Sequence, residues 1–466
     1  MASVDEVKAF IEPIWVDDAE DEPDMFAAVR ANINLQQLSR VASQVRPGFA
    51  DKLPSVGSFN ILFPLRFEDG MRWLAKVPVN GVPGKWDQLS VDAMISEVNT
   101  MRLLSRKTTI PLPEVFGFDS TTENDVKCPF ILLSFISGKP LYDVWFGHRL
   151  SGVDMETTHA RRMRALSDIG AAMSQLGKFS FNSSGFVKFD EEGNPSGVGP
   201  SRCLDYQEMV DRTWGNEDDS EDPIDDDSGD PIDDDSEDPI YIEVPAFEDP
   251  QQQYNFFLDL HPRTNPFERG VNLLLKELIK GIPQPTNVNP FVLAHPDFDI
   301  QNFLVSEDGQ LLGIIDWDGV CCSARSHGNE AYPSWLTRDW DPLMYNDQQS
   351  MDEGKEPDGC WEDSPETLQI YRIAYDEIMS KFRKRDADIN LTRISLITES
   401  LMIAAVDPRC RHVIVDKIIH EISKMLELVE PLYFTELAEA FAGDSFGEEM
   451  RATLERGMKK LFQDAR

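Results

Sequence analysis

Apolar positions along the chain change their spacing once, near residue 140. Before that point they form short β-like runs. Residues 60–67 and 71–79 are rich in Ile, Leu, Phe, Trp and Val and meet at Asp69-Gly70, a dipeptide suited to a tight hairpin. Residues 115–118 and 130–135 read as two more strands. Between the pairs, Val91, Met94, Ile95, Val98 and Met101 recur at helical spacing, and Ser90 is placed to cap that helix. Ahead of the strands, residues 27–45 read as one helix closed by Pro47 and Gly48. Ile136-Ser137-Gly138-Lys139-Pro140 is a turn signal and predicts the joint between two lobes.

Beyond the joint the helical period dominates. Met163, Leu166, Ile169 and Met173 line one face of residues 161–176, and further helices are predicted over 265–281, 367–382, 391–406, 412–428 and 448–461. Residues 186–189 form a short strand entering a turn at 190–195. This pattern predicts an α+β protein of two lobes. A helical extension covers residues 1–50, a small β-rich lobe 51–137, and a larger, mainly helical lobe 138–466.

Charge modifies that picture in one place. Of the 466 residues, 83 are acidic and 44 are Lys or Arg, a formal net charge of −39. That balance argues against a nucleic-acid binder or a protein held on anionic lipid. Residues 217–238 alone hold 14 of the acids, in an eight-residue repeat, EDPIDDDS then GDPIDDDS then EDPI. So charged a stretch has no apolar surface to bury, so 216–240 reads as a disordered insertion. The EF-hand pattern is absent, and two and a half units are too few for a solenoid. The six cysteines include no C-x-x-C pair, which fits free thiols in a reducing compartment. The N-terminus has no basic start followed by an apolar core, and no apolar run reaches membrane-spanning length. A cytoplasmic protein is expected.

The chemistry concentrates in residues 291–320, FVLAHPDFDIQNFLV followed by LLGIIDWDGV. Two apolar runs, 303–305 and 311–315, flank Asp308-Gly309 and predict a hairpin. His295, Asp297, Asp299 and Asn302 lie on the loop entering it, and Asp316 and Asp318 lie at its exit. A hairpin brings entrance and exit together, so four carboxylates and an amide meet at one edge. Acids that close repel one another unless they share a cation. An oxygen-only donor set favours magnesium, and magnesium in a cleft implies a phosphate ester.

The spacing H-x-D-x-x-x-x-N followed by I-I-D-W-D resembles the aminoglycoside phosphotransferase family, whose fold is similar to that of protein kinases. The resemblance covers roughly residues 50–430 without the acidic insertion. It implies that Asp297 orients the acceptor hydroxyl and takes its proton, and that His295 braces the loop. Asn302 and Asp316 would hold Mg2+ on the phosphates of ATP or GTP, joined as a metal candidate by Asp318, which matches the second acid the family often carries. Asp299 is a second candidate for the base, though only Asp297 stands at the right distance from both His295 and Asn302. In the first lobe, Lys76 sits on the second hairpin strand, and helical geometry places Glu97 inside the apolar stripe of the next helix. A carboxylate facing a core needs a partner, and Lys76 is available. The kinase-like fold pairs these groups to place the α- and β-phosphates. By position, Gly57 and Ser58 would touch phosphate, and backbone groups from Ser134 to Ile136 would hold the base.

Three functions follow in order. The first is phosphoryl transfer from ATP to a hydroxylated small molecule. The second is a catalytically weak scaffold, suggested by a phosphate loop with one glycine. The third is a protein kinase, disfavoured because Asp-Trp-Asp replaces Asp-Phe-Gly and no A-P-E follows. Glu330, Asp339 and Asp341 are candidates to face a cationic substrate.

Overall fold

The computed structural model describes residues 26–46, 49–52, 55–56, 60–214, 239–261, 265–283, 289–341, 345, 362–383, 390–443 and 447–464. Gly57, Ser58, Cys360 and nearly all of the acidic repeat lie outside the described residues. The fold is α+β with two lobes. The first opens with α1 (Ala27–Asn32) and α2 (Leu35–Val45) and continues through β1 (Phe49–Lys52), β2 (Ser55–Val56), β3 (Asn60–Phe67) and β4 (Arg72–Pro78). Then come α3 (Gln88–Lys107), β5 (Val115–Asp119) and β6 (Phe130–Ser134). The strands form one antiparallel sheet in the order β1-β3-β4-β6-β5, with β2 also paired to β3.

Strand alternation sets what each sheet face carries. Ile61, Phe63, Leu65 and Phe67 of β3, with Trp73, Ala75 and Val77 of β4, face a core closed by Phe26, just before α1, and by Val29, Leu38 and Ala42 of the N-terminal helices. Leu74, Ile131 and Leu133 face the other way and pack with Met94, Val98, Met101 and Leu104 of α3. Lys76, two residues from Leu74, therefore shares the α3 face.

Two local readings are corrected here. The helix read over 27–45 breaks at Ile33, which is extended, and Asn34 starts α2 by accepting from the Gln37 amide. The Asn34 amide donates to the Val126 carbonyl at 2.8 Å, a tertiary tie that local pattern does not show. The cap of α3 is Asp87, whose side chain accepts from the Ser90 amide at 2.8 Å. Ser90 is inside the helix, so its hydroxyl is available to other partners.

The second lobe begins with β7 (Lys139–Pro140), α4 (Leu141–Trp145) and α5 (Met155–Met173). A β-rich segment follows: β8 (Ser180–Phe181), β9 (Phe186–Phe189), β10 (Pro195–Gly199) and β11 (Ser201–Leu204), then α6 (Tyr206–Trp214) and β12 (Tyr241–Val244). Next are α7 (Pro250–Leu260), α8 (Pro266–Lys280), β13 (Phe291–Ala294), β14 (Phe303–Val305), β15 (Leu311–Ile314) and β16 (Cys321–Ala324). The chain ends on α9 (Pro365–Ser380), α10 (Leu391–Val406), α11 (Pro408–Met425), α12 (Phe434–Ala442) and α13 (Glu448–Asp464). The sequence reading passes over α12, although Phe434, Leu437, Ala438 and Phe441 are buried at helical spacing. The expected hairpin of β14 and β15 is present, with Gly309 at φ +83 in its turn. Among the described residues the cysteines are free, and no helix is long and apolar enough to cross a membrane.

Candidate active site

The ends of β14 and β15 meet as the hairpin requires: the Ile315 amide donates to the Asn302 carbonyl at 2.9 Å. That bond sets the loop from His295 to Asn302 beside Asp316. His295 Nε2 lies 2.8 Å from the Ile315 carbonyl, and the Asp297 amide donates to His295 Nδ1 at 3.3 Å. One ring nitrogen must donate while the other accepts, which is the neutral Nε2–H tautomer. Burial also pushes this imidazole down from its usual value. Trp317 packs edge-on against His295 at 4.7 Å and donates to the Ile314 carbonyl at 3.0 Å. His295 is thus a neutral brace between the loop and the strand end.

Asp297 has two unlike oxygens. Oδ2 accepts from Asn302 Nδ2 at 2.8 Å and from Gln301 Nε2 at 2.9 Å, while no described residue donates to Oδ1. Burial raises its pKa, and the nearby Asp299 adds to the shift. Asp299 itself is engaged: Oδ1 accepts from the Ile300 amide at 2.8 Å and Oδ2 pairs with Arg338. Of the two acids, Asp297 alone keeps an open oxygen. Asn302 Nδ2 also donates to the Asp297 carbonyl at 2.9 Å, which leaves its amide oxygen pointing elsewhere.

Across the cleft, Lys76 Nζ lies 2.8 Å from Glu97 Oε1, 3.7 Å from Asp316 Oδ1 and 3.8 Å from Asp318 Oδ2. Lys76 and Glu97 are 5% and 3% exposed. Burial alone would pull the Lys76 ammonium down, but Glu97, Asp318 and Asp316 outweigh it and hold the charge in place. The two acids of the Asp-Trp-Asp stretch differ sharply. Asp316 sits at φ +59, a left-handed conformation uncommon outside glycine, and its side chain is 51% exposed. Asp318 is 23% exposed, and its oxygens meet Lys76, Asn60 Nδ2 at 3.4 Å and Arg202 Nη2 at 3.3 Å. Burial opposes its ionisation, yet Lys76 and Arg202 keep its pKa below the usual value.

A divalent cation fits this donor set. Asp316 offers an open carboxylate and Asn302 an amide oxygen, both hard donors. Magnesium characteristically takes one or two carboxylates and completes its shell with phosphate and water. Among the described residues no cluster of three or more His, Cys, Asp or Glu is arranged to hold an ion alone.

At the segment expected to hold the nucleotide base, the Ser134 amide donates to the Glu114 carbonyl at 2.9 Å and the Phe135 amide to the Arg72 carbonyl at 3.2 Å. The Ser134 N–H is therefore engaged within the protein, and the amide of Ile136 makes no such bond to a described residue. Next to Asp297, a cavity of about 240 Å3 is lined by Tyr332, Arg338, Trp340, Asp341 and Glu399. The acids expected to face a substrate separate here. Asp341 lines the cavity, whereas Asp339 is buried on Arg372 at 2.7 Å and Glu330 pairs with Arg325 at 3.1 Å. Asn60, Arg202, Gln301 and Glu399 were missed. Asn60 borders the predicted phosphate turn, but nothing in spacing or composition marks the other three.

With that geometry in view, the comparison with known proteins is direct: residues 72–327 match the phosphotransferase enzyme family. The chain belongs to that family. Among curated relatives, a subtelomeric hrmA-associated cluster protein of Aspergillus fumigatus is 34% identical, over 61% of this chain and 60% of that one. Altered inheritance of mitochondria protein 9 of Saccharomyces cerevisiae, which carries the designation mitochondrial, is 24% identical over 48% of this chain and 41% of its own length. The match thus spans three fifths or less of these curated relatives. Among solved structures, an amicoumacin kinase in complex with AMP-PNP and Ca2+ aligns over 92% of this chain and 95% of its own, with 12% identity and a TM-score of 0.42. A Plasmodium vivax ethanolamine kinase aligns over 96% and 95%, with 11% identity and a TM-score of 0.37.

Proposed function

We propose that this chain transfers the γ-phosphate of ATP to a hydroxyl group of a small molecule bound in the cavity beside Asp297. The observation that carries the reading is the asymmetry of Asp297: two amides fix Oδ2, and Oδ1 is left open beside the cavity. A base needs both a held orientation and a free lone pair, and this carboxylate has each. Lys76, fixed by Glu97, would lie against the α- and β-phosphates. Asp316 and the Asn302 amide oxygen would hold Mg2+, which neutralises charge on the transferring group when bound. His295 keeps the loop in register with Asp316 and exchanges no proton. The acceptor is a small molecule because the cavity is bounded by the protein's own helices and short turns.

Calorimetry with AMP-PNP and Mg2+, followed by a phosphorylation screen of hydroxylated metabolites, tests the reading. Wild type should bind nucleotide only weakly without the metal and should phosphorylate at least one acceptor. Asp297→Asn should retain nucleotide affinity while turnover falls by roughly 10²-fold or more. Wild-type protein that binds no nucleotide, or an Asp297→Asn variant with undiminished turnover, overturns the assignment.

A further inference from the structure

Asp318 is ringed by donors from three elements. Lys76 on β4 and Asn60 on β3 reach Oδ2, and Arg202 on β11 reaches Oδ1 at 3.3 Å. Arg202 belongs neither to the first-lobe sheet nor to the His295–Asp318 segment. It comes from the β-rich segment between α5 and α7, where β11 pairs with β12. Its guanidinium also donates to Ser90 Oγ at 3.1 Å, in the first turn of α3, and lies over the Tyr241 ring at 4.4 Å. The Arg202 side chain is only 7% exposed. A guanidinium taken that far out of water needs its charge matched, and Asp318 is the acid in contact with it. At the far end of α3, Arg106 donates to the Gly193 carbonyl at 2.6 Å, in the turn between β9 and β10. The helix that carries Glu97 is therefore tied at both ends to the same inserted segment.

We propose that Arg202 is a positioning residue of the nucleotide site. Its guanidinium is the counter-ion that keeps Asp318 as a bracing carboxylate, leaving the metal to Asp316 and Asn302, and it fixes α3 through Ser90. The inference rests on the phosphotransferase reading. The charges support it. Glu97, Asp316 and Asp318 face Lys76 and Arg202, three negative groups against two positive. Both Asp318 oxygens are already met by protein donors, whereas Asp316 is half exposed. Magnesium with phosphates present needs no more than one or two carboxylates. Removing the Arg202 charge frees Asp318 Oδ1 and leaves three carboxylates around one ammonium. Affinity for a bare divalent cation should then rise, and affinity for a metal-free polyanion should fall.

The test measures Mn2+ alone and AMP-PNP alone by calorimetry on the full chain. Arg202→Met should bind Mn2+ on the order of tenfold more tightly than wild type and AMP-PNP more weakly. Arg202→Lys, which keeps the charge and loses the fork to Ser90, should retain the wild-type Mn2+ affinity with a lower melting temperature. The double variant Arg202→Met with Asp318→Asn should return to the wild-type Mn2+ value. Should Arg202→Met not fold, Arg202→Gln must show the same tightening. A side chain that only packs gives the opposite pattern, with both affinities falling together or neither moving, and either result overturns the proposal while leaving the nucleotide site standing. Wild-type protein that binds no AMP-PNP even with Mn2+ present overturns both.

Discussion

His327 lies against the cavity beside Asp297, with Nε2 2.8 Å from the Tyr254 hydroxyl. Burial pushes its imidazole from the usual 6.5 down to about 4. The folded state therefore favours neutral His327, and the unfolded chain takes up the proton first on acidification. The stability this confers is complete above pH 6.5 and is lost as pH falls from there towards 4, by about 3 kcal/mol in all. Denaturant melts at several pH values between 7 and 4 should show that loss, and His327→Gln should remove it from the profile. An unchanged slope in the variant would assign the loss to other groups. Single atoms also separate two like acids. Asp297 and Asp299 sit two positions apart in the same loop, and only their partners distinguish an open oxygen from a carboxylate closed by Arg338.

The elements act through faces and close approaches. Lys76 reaches Glu97 because β4 alternates, so that Trp73, Ala75 and Val77 take one side and Lys76 the other, towards α3. In the second lobe, α8 and α12 touch at Gly270, where an added Cβ would stand 2.0 Å from the Ala438 carbonyl oxygen. That neighbour is backbone, so the helices must separate to admit it. Gly270→Ala should therefore destabilise the fold by about 1–3 kcal/mol even though alanine favours the helix intrinsically. Thermal melts of the variant measure the difference, and an unchanged or raised melting temperature would show that α12 shifts freely. α12 is also the helix the sequence reading passed over. Its buried Phe434, Leu437, Ala438 and Phe441 had the right spacing, but nine residues between two longer helices give a weak local signal.

For the molecule as a whole, the β-rich segment between α5 and α7 does two things. It ties α3 at both ends, and it carries the acidic repeat between α6 and β12. Ser201↔Val244 through Leu204↔Tyr241 are paired, and the Asp205 amide donates to the Ile240 carbonyl at 2.9 Å. Chain entering and leaving the repeat is thus already held together by described residues. Deleting residues 217–238 should leave the melting temperature within a few degrees of wild type, because so charged a stretch has no apolar surface to bury, while net charge falls in magnitude by the 14 acids lost. Scanning calorimetry checks this, and a large drop would make the repeat part of the folded core.

Local pattern by itself carried the α+β division, the β3–β4 and β14–β15 hairpins, most helices, and the motif from His295 to Asp318. Each depends on short-range rules: alternation, helical spacing, turn dipeptides and fixed distances along the chain. The pairing of Lys76 with Glu97 was also legible, because an acid inside an apolar stripe needs a partner and one lysine lay on the adjoining strand. Tertiary structure alone decided the rest. It broke the helix at Asn34 through a bond to Val126, buried Asp339 against Arg372 and exposed Asp341 to the cavity. It also brought Arg202 to Asp318 across 116 residues of sequence. Nothing in spacing encodes that meeting, because a charge is satisfied by whatever the fold places within a few ångströms of it, however distant in the chain.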